Sequence, residues 1–281
     1  MVMVGLLKNV LLELEAIGFM LIYIAAFSIL ILLITWLLYD RRRLIIKKEK
    51  MEAVIANIFP KSIADELIDK GRVAKVKYDF VTVMFSDIQG FTRIAETMAP
   101  ETLVDELDKL FSIFDLAVKK YGIEKIKTIG DAYMCAGGIP EKDRTNPIMV
   151  VLAGLEIIAC MCKFKEEGMK FWNIKIGIHT GSVVAGVMEQ KRSSYDIWGD
   201  TVNTANHIES SGETGKINIS KTTYEFVKDF FDCSYMGKIP VKYKGELDIY
   251  IVNGIKPELC GNDGFPNNRF WKNVKVLKNS Q

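Results

Sequence analysis

The feature that most constrains this chain is an unbroken apolar run near its start. From Ala16 to Tyr39 the sequence AIGFMLIYIAAFSILILLITWLLY holds no charged residue. A helix that is apolar all round has no face to turn to water, so it must lie inside protein or inside lipid. At about 1.5 Å of rise per residue the run reaches the roughly 30 Å of a bilayer core. It is longer than the apolar core of a usual signal peptide, lacks a small-residue cleavage site, and ends in Trp36 and Tyr39 at interface depth. Arg41, Arg42, Arg43, Lys47, Lys48 and Lys50 follow at once, whereas Lys8, Glu13 and Glu15 precede it. The positive-inside rule then puts everything after Tyr39 in the cytoplasm, held at the cell (inner) membrane by a single pass. The expected organisation is a short segment 1–15, a transmembrane helix 16–39, a helical stalk 40–72, a folded domain 73–255 and a tail 256–281.

The remainder has ordinary globular composition. The 281 residues include 37 Lys+Arg against 35 Asp+Glu, a formal net charge of +2, so no large cationic field exists for a nucleic-acid partner. The five cysteines are odd in number and scattered, which argues for reduced thiols rather than a disulfide framework. The two histidines, His179 and His207, have no Cys or second His at metal-ligand spacing, which argues against zinc sites and against a Ser-His-Asp or Cys-His triad. A metal in this protein must sit on carboxylates.

After the apolar run, Leu44, Met51, Ile55 and Ile58 continue a helical spacing around Lys48 that suits either a parallel dimer stalk or a helix packed on its own domain. Pro60 interrupts it, and Lys61 to Lys70 restart a short amphipathic helix that Gly71 ends. From Val73 the periods alternate. VTVMFSD (Val81 to Asp87) reads as a strand, and Pro100 to Lys120 as an amphipathic helix. Glu124 to Gly138 reads as two strands meeting at Gly130-Asp131, and Pro147 to Phe164 as a buried helix. WNIKIGIHTG and VVAGVM read as a further hairpin. The order β-α-β-β-α-β predicts an α+β, ferredoxin-like domain, an antiparallel sheet with helices on one face, followed by a C-terminal extension. The tail after Pro257 reads as basic and weakly ordered.

Three segments carry candidate chemistry. In FSDIQGFT (Phe85 to Thr92) a strand ends at Asp87, and Gly90, Phe91 and Thr92 lead into a helix whose amides can face an anion. An ordinary strand-to-helix turn has the same composition, so this segment alone does not decide. Asp131 sits at a strand bend, where a polar turn residue is also unremarkable. If the Glu124 to Gly130 strand lies beside Val81 to Asp87, the two carboxylates meet at one sheet end and suit Mg²⁺ held together with nucleotide phosphates. The third segment is YDIWGDTVNTANHIES (Tyr195 to Ser210).

With that third segment the chain resembles the class III nucleotidyl cyclases, the adenylate and guanylate cyclase family. The resemblance covers about Val73 to Asn253, through FSDIQGFT, EKIKTIGDAYM, IKIGIHTGSVVAGV, YDIWGDTVNTA and VKYKGELDIY in order. One such motif would be weak; five in sequence at matching spacing are specific. The resemblance implies that Asp87 and Asp131 bind metal, with the Ile88 carbonyl as a further ligand, and that Mg²⁺ or Mn²⁺ acts as a pair in each site. Gly90, Phe91 and Thr92 would then face phosphate. It implies that Lys127 and Asp196 read the base, that Asn203 positions the ribose, and that Lys242 contacts the triphosphate. It also implies a homodimer with shared sites, metal carboxylates from one subunit and base-reading residues from the other.

Base choice follows from hydrogen-bond chemistry. Adenine offers an N6 donor to Asp196 and an N1 acceptor to Lys127, whereas guanine presents the opposite pattern at both positions. The expected reaction is therefore ATP to 3′,5′-cyclic AMP and pyrophosphate, with GTP as the alternative substrate. One departure from the family stands out. Four residues after Asn203 the pattern has a transition-state arginine, and this sequence has His207. A free histidine titrates near about 6.5 and lacks the planar five-donor fork, so a slower enzyme, or an impaired ATP-binding signalling module, is the consequence to test.

Overall fold

Residues 2–56, 58–166, 172–187, 194–241 and 245–279 are described by a computed structural model. The chain divides into two units, Met1–Ile58 and Phe59–Gln281. The first is one helix, α1 (Val2–Ala56). Its stretch Ile17–Ile55 is long and apolar enough to cross a membrane, and its most apolar window has no side chain buried in protein. Beyond the apolar run it continues as a charged helix carrying an i,i+4 ion pair between Lys48 and Glu52 at 3.5 Å.

The second unit begins with α2 (Lys61–Lys70), stopped by Gly71 in the left-handed region with its N–H on the Leu67 carbonyl. There follow β1 (Val76–Ile88), α3 (Phe91–Thr97), α4 (Pro100–Lys120), β2 (Glu124–Ile129), β3 (Ala132–Gly137), α5 (Asn146–Glu166) and β4 (Ile174–Val187). After these come β5 (Tyr195–Trp198), α6 (Asp200–Ser211), β6 (Ile217–Ser220), α7 (Lys221–Val227), β7 (Phe231–Val241), β8 (Gly245–Ile255), a 3₁₀ turn Pro257–Leu259 and α8 (Asn268–Asn279). The strands form one mixed sheet in the order β2-β3-β1-β4-β6-β8-β7, with β5 pairing β4. This is the βαββαβ domain expected, extended at its C-terminal edge.

Alternation along β1 and β4 sorts the helices onto two faces. Met84 and Ile88 of β1, with Ile174, Ile176 and Ile178 of β4, join Phe114 of α4 and Val151 and Ile157 of α5 in the main core. Each such side chain contributes roughly 1.5–3 kcal/mol through burial. α5 is apolar enough to pass the same length and composition test as α1, but it is largely buried and serves as the central core helix.

The other face receives α6, where the sequence led us to expect helices on one face alone. The cause is local. A Cβ on Gly177 of β4 would lie 2.1 Å from the Glu209 nitrogen, so only glycine lets α6 approach this closely. Gly181 plays the same part beneath Thr201, whose Oγ1 would lie 2.5 Å from an added Cβ.

Three further expectations are corrected. Residues 174–187 form one long strand rather than a hairpin broken at Gly181-Ser182, and the chain reverses only after Val187 to return as β5. β2 does not neighbour β1, because β3 lies between them. The tail is ordered: Phe270 and Val274 of α8 are buried, and Phe270 packs edge-on to Phe230 and Phe231 at 5.1 and 5.9 Å between centroids.

Candidate active site

The site begins at the end of β1. Asp87 is its penultimate residue, and the β2–β3 hairpin turns at Gly130-Asp131, closed by the pair Ile129↔Ala132. Since β3 pairs β1 through Ser86↔Tyr133, the turn comes to the same sheet end, and the two carboxyl groups are hydrogen-bonded to each other. The Asp87 carboxyl is pushed up to about 7, first by burial, then by the Asp131 bond and charge and by the charge of Glu209. The Ile88 backbone, hydrogen-bonded to Asp87, works in the opposite direction, while the Ile88 side chain is buried in the core. Two carboxyl groups at one sheet end form a hard oxygen set that suits a divalent cation. Among the described residues no cluster of three or more His, Cys, Asp or Glu could hold a metal, so this pair fits an ion that completes its shell with backbone, water or substrate oxygens.

Next to the pair, Gln89 donates its N–H to the Asn173 carbonyl at 2.8 Å, and Gly90 adopts φ 72° before α3 opens at Phe91. The Phe91 ring is fixed edge-on against Trp172, with centroids 6.5 Å apart. Gly90 and Thr92, with Gln89, Arg93, Ile94 and Glu96, line an open concavity.

Lys127 and Asp196 come from separate segments, β2 and β5, yet they form an ion pair of 2.6 Å between Nζ and Oδ2. Asp196 is 16% exposed in its side chain and its Oδ1 accepts the Ile197 N–H at 2.9 Å, so the carboxylate is held in one orientation. The ammonium uses one proton on Asp196 and keeps others to offer a ligand.

Asn203 and His207 are both exposed, one turn apart on α6. The start of that helix is pinned where Thr201 Oγ1 donates to the Ser182 carbonyl at 2.7 Å. Lys242 lies outside the described residues. Sequence reasoning passed over two charged residues at the other end of α6. Glu209 is buried, and its carboxyl is raised mainly by that burial while the Ser210 hydroxyl and Lys175 pull it down. Lys175 is the register partner of Asp87. The available signal was Glu209 standing four residues after Ala205, on the stripe that α6 turns to the sheet.

The chain thus presents an acidic pair at a strand end, a glycine turn into a helix, an ion-paired Lys and Asp, and an exposed Asn on α6. Comparison gives the class its name: residues 66–254 match the adenylate and guanylate cyclase catalytic domain, and the chain belongs to that family, the class III nucleotidyl cyclases. It is 38% identical over 209 residues to an adenylate cyclase of Mycobacterium tuberculosis, covering 74% of this chain and 47% of that protein. It is 35% identical over 214 residues to the receptor-type guanylate cyclase gcy-28 of Caenorhabditis elegans, covering 75% of this chain and 17% of that protein. The chain thus spans about half, or less, of the length of the curated relatives it matches. Among solved structures, the guanylate cyclase domain of RhGC from Catenaria anguillulae in complex with GTP superposes with TM-score 0.62 at 36% identity, over 64% of this chain and 100% of that one. The fold and family are those of cyclases that make cyclic nucleotides, whose catalytic domains work with divalent metals. Relatives of both base specificities match.

Proposed function

We propose that this protein is a membrane-anchored adenylate cyclase that converts ATP to 3′,5′-cyclic AMP and pyrophosphate in sites shared by two copies of the chain. The observation that carries the choice of base is the Lys127–Asp196 pair, 2.6 Å apart. Asp196 accepts from the adenine N6 amino group and Lys127 donates to N1, and guanine mismatches both. Sites that bond a substrate polar group can discriminate by about 10⁴-fold or more. Anchoring is supported by the apolar run of α1 and the cations that follow it, which favour a catalytic domain on the cytoplasmic side of the cell (inner) membrane.

The chain's own residues supply position and charge. Asp87 and Asp131 offer the hard oxygens, with the Ile88 carbonyl beside them, and the backbone of Gly90, Phe91 and Thr92 faces the phosphates. Divalent ions bound there, two per site by family likeness, would acidify the ribose 3′-hydroxyl and offset the triphosphate charge. Asn203 orients the ribose, and His207 lies on the same helix face. Lys242 remains assigned to the triphosphate by likeness alone. With the ribose held, the 3′-oxygen reaches the α-phosphorus in line. One P–O bond forms, the bridging bond to the β-phosphate breaks, and pyrophosphate leaves with the bonding electrons while the hydroxyl proton passes to solvent.

His207 is the specific observation behind a second reading, an ATP-binding module with little turnover. The test is product formation by the purified full chain from ATP and from GTP, with Mg²⁺ or Mn²⁺. Cyclic AMP formation preferred over cyclic GMP by about 10²-fold or more supports the proposal. Preference for GTP overturns the base assignment, and bound ATP without product establishes the second reading.

A further inference from the structure

An acid that the reaction does not use grips the hairpin that carries Lys127. Asp115, on α4, reaches both strands of the β2–β3 hairpin. Its Oδ1 accepts the Tyr133 hydroxyl of β3 at 2.7 Å, and its Oδ2 accepts Lys125 Nζ of β2 at 2.9 Å. Tyr133 is fully buried, with its ring centroid 5.7 and 5.3 Å from those of Phe111 and Phe114 of α4. Lys125 Nζ lies over the same ring, 5.3 Å from its centroid. A carboxylate with one oxygen on each strand, beside a ring that has no room to swing aside, ties α4 to one register of the hairpin.

That register contains an irregularity. Lys125 pairs Cys135 and Lys127 pairs Met134, so Ile126 is one residue too many on β2. Residues opposite one another in a ladder share a face of the sheet, and neighbours along a strand take opposite faces. Tyr133 and Cys135 belong to the main core with α4 and α5, so Met134 between them points to the other face. Lys125 accordingly meets Asp115 on the α4 side, while Lys127 leaves the opposite side and meets Asp196 of β5 at 2.6 Å. In a strand without the extra residue the two lysines, two positions apart, would share the α4 face, and Lys127 would turn away from Asp196. We infer that Asp115 is a positioning residue that fixes the extra residue at Ile126, through Lys125 and Tyr133, and so aims Lys127 at the purine base. The inference rests on the base-reading role of Lys127 proposed above.

The test uses the purified full chain in detergent micelles and the 3′-deoxy forms of ATP and GTP, which lack the attacking hydroxyl and bind without turnover. The readout is the ratio of their dissociation constants, measured by calorimetry. Asp115→Ala should lower the preference for the adenine nucleotide by about 10-fold, the discrimination of one hydrogen bond. Lys125→Met and Tyr133→Phe each remove one of the two holds and should lower it by about 3-fold. Asp115→Asn, which keeps an oxygen for the Tyr133 hydroxyl, should recover part of the loss. Amides of Lys127 to Gly130 should exchange hydrogen faster in Asp115→Ala than in wild type, as the extra residue becomes free to move along β2. A purely structural role would leave the ratio alone: Phe270→Ala, which loosens the opposite edge of the sheet, should lower the unfolding midpoint and keep the wild-type preference. If Asp115→Ala does not fold, Lys125→Met and Tyr133→Phe carry the test, since each deletes only the bonding group. Lys127→Met separates the two layers: should it keep the wild-type preference, the base reading fails and the inference falls with it. Loss of preference in Lys127→Met, with wild-type ratios in the Asp115, Lys125 and Tyr133 variants, overturns the inference alone.

Discussion

Replacing Asp87 by asparagine tests the acidic pair without any nucleotide. The carboxyl is raised from an ordinary 3.8 to about 7. A group whose folded value is raised contributes stability that is fully present below the unfolded value and is lost as pH rises through the folded one. Between pH 5 and pH 8 about two pH units of that loss are traversed, which at 1.36 kcal/mol per unit gives roughly 3 kcal/mol as an upper bound. Asp87 is only partly buried, so screening reduces the figure to about 1 kcal/mol. Asparagine keeps the shape and cannot ionise. Relative to wild type, Asp87→Asn should therefore gain about 1 kcal/mol on passing from pH 5 to pH 8 in chelator, near 2–4 °C in unfolding midpoint for a unit of this size. Thermal unfolding at the two pH values measures it. An equal midpoint difference at both would show that the pair does not hold a proton near neutrality. The same midpoint in wild type should rise when Mn²⁺ is added, more at pH 8 than at pH 5, since cation and proton compete for one carboxylate.

Two other outcomes are expected. His207→Arg should raise kcat by about 10–10³-fold if a fixed cation at that turn of α6 stabilises the transition state, and steady-state kinetics with ATP will show it; an unchanged kcat would make His207 a bystander. Phe270→Ala should cost about 3–5 kcal/mol in denaturant unfolding, because its ring is fully buried against Phe230 and Phe231. A loss below about 1 kcal/mol would mean that α8 is dispensable to the fold.

Much of this architecture was legible because it rests on period and punctuation. The β-branched run of Val81 to Asp87, the helical spacing of Pro100 to Lys120 and the Gly130-Asp131 bend are all local signals, and the βαββαβ order follows from them. Pairing is not local, so neither the place of β3 between β2 and β1 nor the straight run of the strand through Gly181-Ser182 is legible in the sequence. Gly181 is small for another reason, to admit Thr201 of α6. The tail reads as weakly ordered because asparagine, glycine and lysine dominate it, while its anchors are few, Phe270 and Val274. Within the site, the convergence of Asp87 with Asp131 could be anticipated from strand ends. The burial of Glu209 was signalled only by its spacing from Ala205, against the ordinary expectation that a glutamate late in a polar-looking helix faces water.

The mutual bond of Lys127 and Asp196 bears on how such a protein could change its diet of nucleotides. Each ion is now the other's compensation, with Asp196 mostly shielded from solvent. Altering either alone leaves the other charge without its partner, a penalty that falls before any benefit of a new contact is gained. On the proposed reading of the pair, a lineage moving from one purine to the other must cross that valley or alter both positions together, and the pair would then act as an evolutionary latch on substrate identity.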